Sequence, residues 1–290
     1  MKVAIIGAGG LLGSELAKVF TDIKPYLLDR GNLDITDKAQ VDKIIDHIKP
    51  DLIINAAGYT AVDDAEDNKD IAMAVNGHAV GYIAKAAKKH GATVVHYSTD
   101  YIFEGDKKEG YREDDKPAKE PPSIYGASKL MGERELQKNT DNFYLIRTSW
   151  VFGPGGKDFI DTVLRLSERG EMRIKNDEHG KPTYAKDLAQ ATRALVFERM
   201  PYGTYHIVNE GPTNWHEYAQ TIVEFAGKIK NWPEEKYPKI EPVSAEEFAA
   251  KAPRPSYSIL LNTKFVKLRP WQEALEDYLG YDIDKDIHTA

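Results

Sequence analysis

The chain has 290 residues, 41% of them apolar and 29% charged, which is enough for a sizeable core and typical of a folded protein rather than a disordered or fibrous one. A net charge of −7, with basic residues spread along the chain, leaves no basic stripe, so nucleic acid is not expected as a partner. The lack of cysteine excludes a disulfide scaffold, a thiolate nucleophile and a cysteine-based zinc site, and no apolar stretch nears the ~18 residues of a membrane span, so we expect a cytoplasmic protein with no membrane partner.

The N-terminal "KVAIIGAGG" is a β-branched apolar run ending in glycines, and Leu12, Leu16 and Val19 just after it recur at helical spacing. Strand, tight turn and helix are predicted. "PYLLD" then reads as a strand, "KAQVDKIIDHI" as a helix, "PDLIINAAG" as a strand, "AMAVNGHAVGYIAKAAKKH" as one long helix and "ATVVHYSTD" as a strand. A charged loop, "EGDKKEGYREDDKPAKEPP", precedes a helix containing "YGASKLMGERELQK" and a strand "FYLIRTSWVFG". Each strand is a nearly continuous apolar run, which suits a parallel sheet covered on both faces. The expected fold is α/β, a doubly wound, Rossmann-type parallel sheet.

Beyond residue 150 the rhythm breaks. "FIDTVLRLSERG", "YAKDLAQATRALVFERM" and "TNWHEYAQTIVEFAGKI" read as helices, "GTYHIVN" as a further strand returning to the sheet, and the tail after residue 232 as short elements punctuated by proline. We therefore expect a dinucleotide-binding domain over 1–150, joined by 184–209, and a smaller, irregular substrate-binding region over 151–183 and 210–290. That region should lie across the sheet's carboxyl edge, where open α/β sheets bind ligands.

"GAGGLLG" spaces Gly7, Gly10 and Gly13 as G-x-x-G-x-x-G. Glycines there permit the turn's positive dihedral, let a pyrophosphate approach the backbone and leave room for helix against strand, while the helix N-terminus meets the anion with free N–H groups. Asp29 ends the second strand, where a carboxylate grips a ribose diol and favours NADH; Arg30 beside it could pair with the 2′-phosphate of NADPH, so the choice stays open. Asp34 and Ile35 either border the adenine or, with Thr36 and Asp37, signal a helix N-cap.

Three segments should converge at the sheet edge: the end of "VVHYSTD", the start of the helix carrying "IYGASK", and the end of "LIRTSW". A spacing of four places Tyr125 and Lys129 on one helix face. Reduction of a carbonyl needs a proton donor for the alkoxide that hydride transfer creates. Tyr125 fits that task, with Lys129 expected to lower the phenol pKa and to bond the nicotinamide ribose, and with Ser98 or Thr99 orienting the carbonyl oxygen. The histidines at 78, 90, 96 and 179 show no metal-ligand spacing.

Together these features resemble the extended short-chain dehydrogenase/reductases and, within them, the dTDP-4-dehydrorhamnose reductase family. The blocks "NAAGYTAVDDAE", "HYSTDYIFEG", "IYGASKLMGE", "IRTSWVFGPGG", "HGKPTYAKDLA", "GTYHIVNEG" with "WHEYA", and "RPSYSILLNTKF" carry the resemblance over nearly the whole chain. It implies NADPH- or NADH-dependent reduction of the C4 ketone of dTDP-4-dehydro-L-rhamnose, with Thr99 holding the carbonyl, Tyr125 donating the proton and Lys129 supporting it. It further implies a cofactor site including Leu11, Leu12, Ala56, Ala57, Gly58 and Thr60. The dTDP-sugar would meet Thr60, Val62, Tyr101 and Trp150, and Arg254 would reach its diphosphate.

Some relatives form homodimers with help from Mg2+, so the resemblance allows a homodimer here, and the acidic composition permits that metal without identifying a site for it. Related dehydratases carry a glutamate base directly after the aspartate of this block, where this chain has Tyr101, so reduction is favoured over dehydration. Ser123, Asp158 and Glu178 stand where the family commonly has Asn, Asn and Gln, and the two carboxylates could alter which sugar hydroxyls are accepted. Other expectations compatible with the blocks are a reductase giving another dTDP-6-deoxysugar and a non-catalytic regulatory subunit of methionine adenosyltransferase.

Overall fold

The structure, a computed structural model, describes residues 1–156, 158–248 and 250–288. β1 (Val3–Ile6) is buried at every position, as a strand covered on both faces must be. The glycine turn leads into α1 (Leu11–Val19), followed by β2 (Tyr26–Leu28), α2 (Lys38–Ile48), β3 (Leu52–Asn55) and the single turn α3 (Val62–Ala65). The expected long helix is two, α4 (Lys69–Met73) and α5 (Ala79–His90), joined by a π-helical segment over Ala74–His78. Next come β4 (Thr93–Thr99), α6 (Ile124–Asn139) and β5 (Phe143–Thr148). The strand expected through "TSWVFG" stops at Thr148 and resumes as β6 (Val151–Phe152), because Trp150 takes a left-handed backbone at φ 46°.

The rest of the chain forms α7 (Phe159–Ser167), β7 (Glu171–Lys175), β8 (His179–Gly180), β9 (Thr183–Tyr184), α8 (Ala185–Phe197), β10 (Gly203–His206), β11 (Thr213–Asn214), α9 (Trp215–Ile229) and β12 (Lys239–Val243). It ends in α10 (Trp271–His288), an 18-residue helix that corrects the expectation of only short elements after residue 232.

β10, β5, β4, β3, β1 and β2 lie in that order in one sheet, every pair parallel. The order reverses between β1 and β3, so their carboxyl ends flank the switch point at which doubly wound sheets bind ligands. Alternation along β1 divides the core: Ala4 and Ile6 pack with α2, α5 and α6, whereas Val3 and Ile5 pack with α1 and α8. "GTYHIVN" does return to the sheet, as β10 beside β5. A separate cluster, with Phe152, Ile160, Tyr218, Ile222, Trp271 and Leu275 in it, draws α7, α9 and α10 together beyond the sheet. Among the described residues no helix is long and apolar enough to cross a membrane.

Candidate active site

Gly7 and Gly13 build the first wall of the site by close approach. Gly7 sits at φ 80°, and a Cβ on it would lie 2.6 Å from Ala57 N; a Cβ on Gly13 would lie 2.0 Å from the Gly7 carbonyl oxygen. The β1 turn is thereby pressed against both the loop after β3 and the first turn of α1, at the switch point. Gly10, the N-cap of α1, offers no side chain to the helix's first N–H groups, and it faces a cavity of about 770 Å³ together with Leu11 and Leu12. A bare helix N-terminus on a glycine cradle fits a pyrophosphate, so these residues fit a dinucleotide.

Ala56, Ala57, Gly58, Thr60 and Val62 continue that wall, and Thr99, Tyr101, Tyr125, Lys129, Trp150 and Arg254 line the same cavity. Residues as far apart in sequence as Gly10 and Arg254 thus line one cavity. Asp29, Arg30, Asp34 and Ile35 do not line this cavity. The Asp29 carboxylate accepts from Gly31 N (2.8 Å) in its own turn, and Arg30 is exposed beside it. Asp34 accepts from the backbone N (2.9 Å) and hydroxyl (2.7 Å) of Thr36, Asp37 caps α2, and Ile35 packs into the core beneath the sheet.

The catalytic candidates are held from several sides. Thr99 ends β4; its hydroxyl donates to Asp100 Oδ1 (3.0 Å) and accepts from Tyr101 N (3.3 Å). Tyr101 meets Tyr125 edge to face at 5.8 Å between ring centroids. Gly126 permits this contact, since a Cβ there would lie 2.3 Å from the Tyr101 carbonyl oxygen. The glycine of "IYGASK" is therefore a packing requirement, which the sequence reading passed over. The Lys129 ammonium donates to Tyr97 O (2.6 Å) on the adjacent strand, and burial draws its pKa down to about 8. Tyr125 keeps some access to the cavity, yet the protein around its hydroxyl pushes its pKa up to about 12, against the lowering expected from Lys129. Desolvation of the phenol outweighs the lowering from its hydrogen bond with Thr99, and the nearby Asp100 pushes it further up. At neutral pH Tyr125 is thus a phenol with its proton in place, as a donor must be. Burial also lifts Asp100 to about 7.

Other residues of the site escaped the sequence reading. Asn76, in the π-helical segment, accepts from Tyr59 N (2.8 Å) and donates to Tyr59 O (2.9 Å) and the Ser128 hydroxyl (3.0 Å), tying the 58–60 loop to α6. The π turn aims it there, a feature no apolar periodicity signals. Trp215 stacks on Trp150 at 3.6 Å between centroids and 10° between planes, so one indole face of Trp150 is covered by protein. Gly180 leaves room for the other ring edge, because a Cβ there would meet Trp150 at 2.6 Å.

The three departures from the family pattern all have structural partners. Ser123 caps α6 by accepting from Gly126 N (3.1 Å). Asp158 caps α7, accepting from Ile160 N (2.9 Å) and Asp161 N (3.1 Å), and burial raises it to about 6. Glu178 accepts from Trp215 Nε1 (3.0 Å) and pairs with Lys175. Asp158 itself lines the cavity, whereas Ser123 and Glu178 do not. Among the described residues, no three His, Cys, Asp or Glu side chains gather as metal ligands.

The family model described as the RmlD substrate binding domain matches residues 1–282. A dTDP-4-dehydrorhamnose reductase of Aggregatibacter actinomycetemcomitans is 38% identical over 294 residues, covering 97% of this chain and 99% of that protein. The spore coat polysaccharide biosynthesis protein SpsK of Bacillus subtilis is 39% identical over 285 residues, with 96% of each chain covered. The crystal structure of the Bacillus anthracis dTDP-4-dehydrorhamnose reductase in complex with NADP superposes with a TM-score of 0.89 at 37% identity, covering 97% of this chain and all of the other. With its glycine cradle, its Thr99, Tyr125 and Lys129 on one cavity, and a family match over almost its full length, this chain belongs to the dTDP-4-dehydrorhamnose reductase family.

Proposed function

We propose that this protein uses NADPH or NADH to reduce the C4 ketone of dTDP-4-dehydro-L-rhamnose, yielding dTDP-L-rhamnose. The observation that carries the reading is the meeting of Thr99, Tyr125 and Lys129 between the glycine cradle on one wall and Trp150 and Arg254 on the other. The nicotinamide supplies hydride when bound. Gly10, Leu11 and Leu12 would receive its pyrophosphate, with Gly7 and Gly13 keeping the turn close to α1. Thr99 orients the carbonyl oxygen, and Tyr125 Oη delivers the proton as that oxygen becomes an alkoxide, a stronger base than a phenolate. Lys129 lies against the same wall and offsets the negative charge then left on Tyr125. Thr60, Val62, Tyr101 and Trp150 surround the sugar nucleotide, and Arg254 faces its diphosphate. The NADP complex of the B. anthracis relative and the exposed Arg30 support NADPH as the first cofactor to assay.

Mixing the protein with the ketosugar and NADPH should oxidise the cofactor and give the rhamno product by NMR. Tyr125→Phe should cut turnover by about two orders of magnitude. Folded protein that oxidises neither NADPH nor NADH with this substrate would refute the proposal.

A further inference from the structure

We infer that Asp63 is a positioning residue that holds Arg254 at the cavity, so that the edge of its guanidinium is already oriented for the diphosphate of a nucleotide-sugar. The inference rests on the substrate class proposed above and adds a residue outside the cavity wall. Asp63 lies on α3, next to Val62, and Arg254 lies on the proline-flanked strap 253–255; the two are 191 positions apart. Arg254 lines the cavity and its side chain is only 17% exposed, whereas Asp63 does not line it and is 50% exposed. The carboxylate therefore grips the guanidinium from the solvent side, and it does not occupy the space where an anion would bind.

The donor arithmetic gives the inference its chemistry. A guanidinium has five N–H donors. Nη1 donates to Asp63 Oδ1 (3.0 Å) and to Ala252 O (3.0 Å), and Nη2 donates to Asp63 Oδ2 (2.7 Å). Two donors remain, one on Nε and one on Nη2, with no other partner among the described residues. They form the side-on edge of the fork, two parallel N–H groups whose spacing matches two oxygens of a phosphate. Asp63 Oδ1 also accepts from Ala252 N (2.9 Å), so the same carboxylate fixes the strap's backbone. Arg254 in turn holds the Asp63 carboxyl down at about 2, which keeps the pair charged throughout the working range.

The test uses full-length protein and two probes, dTDP and thymidine, whose binding is followed by calorimetry, alongside KM and kcat for the ketosugar. Asp63→Ala should weaken dTDP binding and raise KM by about tenfold, leave thymidine binding unchanged and keep kcat within about twofold. Asp63→Asn, which retains one acceptor oxygen, should fall between Asp63→Ala and the parent. Asp67→Asn removes an ion pair to Lys251 on the neighbouring part of the strap and should change none of these values. Unchanged or tighter dTDP binding in Asp63→Ala, or an equal loss for thymidine, would overturn the inference. Binding of dTDP that responds to Asp63 in a protein that does not turn over the ketosugar would instead uphold it and remove the proposed reaction.

Discussion

Adding one methyl group at Gly13 is a demanding check on the glycine cradle. In Gly13→Ala the new carbon would sit 2.0 Å from the Gly7 carbonyl oxygen, 2.8 Å from its carbonyl carbon and 2.9 Å from Ala8 Cα. Each neighbour is backbone, so no flexible side chain can yield, and α1 must retreat from the β1 turn by more than an ångström. Overpacking of this kind costs about 1–3 kcal/mol, and the lack of any yielding group places Gly13 toward the upper end. The same retreat displaces Gly10, Leu11 and Leu12 from the pocket wall, so NADPH affinity should fall by about tenfold or more. Gly9→Ala is the internal control: its added carbon meets nothing within 4 Å, and stability should stay within about 0.5 kcal/mol. Urea unfolding and NADPH fluorescence titration read both effects. If Gly13→Ala matches Gly9→Ala in midpoint and in NADPH affinity, the close-approach reasoning fails.

Because Lys129 carries its charge only below about pH 8, kcat/KM should decline above that pH while Tyr125, pushed up to about 12, keeps its proton; a flat profile from pH 7 to 10 would contradict this. Glu133 takes Arg147 Nε (3.0 Å) and Nη2 (2.8 Å) in a pair whose side chains are 2% and 5% exposed. Glu133→Gln removes the counter-charge of that buried guanidinium and one of its acceptors, leaving Glu113 O and the amide oxygen, and should cost about 3 kcal/mol in urea unfolding. In the same variant the alkaline limb should move to lower pH, since the Glu133 charge raises the Lys129 pKa. Trp215→Leu should abolish the exciton signature of the Trp150–Trp215 stack in circular dichroism and raise KM for the ketosugar more than it lowers kcat.

The strands and most helices of this protein are legible in its sequence because burial on both faces demands unbroken apolar runs, as in "VAII" and "LIIN", and because one-sided helices repeat at three and four. The proposed catalytic pair is legible for a related reason: Tyr125 and Lys129 are four apart on one helix, so local geometry fixes their common face. The spacing of Trp271, Ala274, Leu275, Tyr278 and Leu279 after Pro270 is that of a one-sided helix, α10, although prolines punctuate the chain just before it. What local pattern could not show are the contacts that link distant segments. Trp215 covering Trp150, Asp63 gripping Arg254, and Gly126 admitting Tyr101 each depend on how the strap, α9 and the sheet edge pack together. The pKa of Tyr125 belongs with them, for the desolvation that sets it comes from elements brought in by the whole fold. Residue types and spacing selected the chemistry; tertiary packing set its geometry and its proton affinities, since both depend on neighbours remote in the chain.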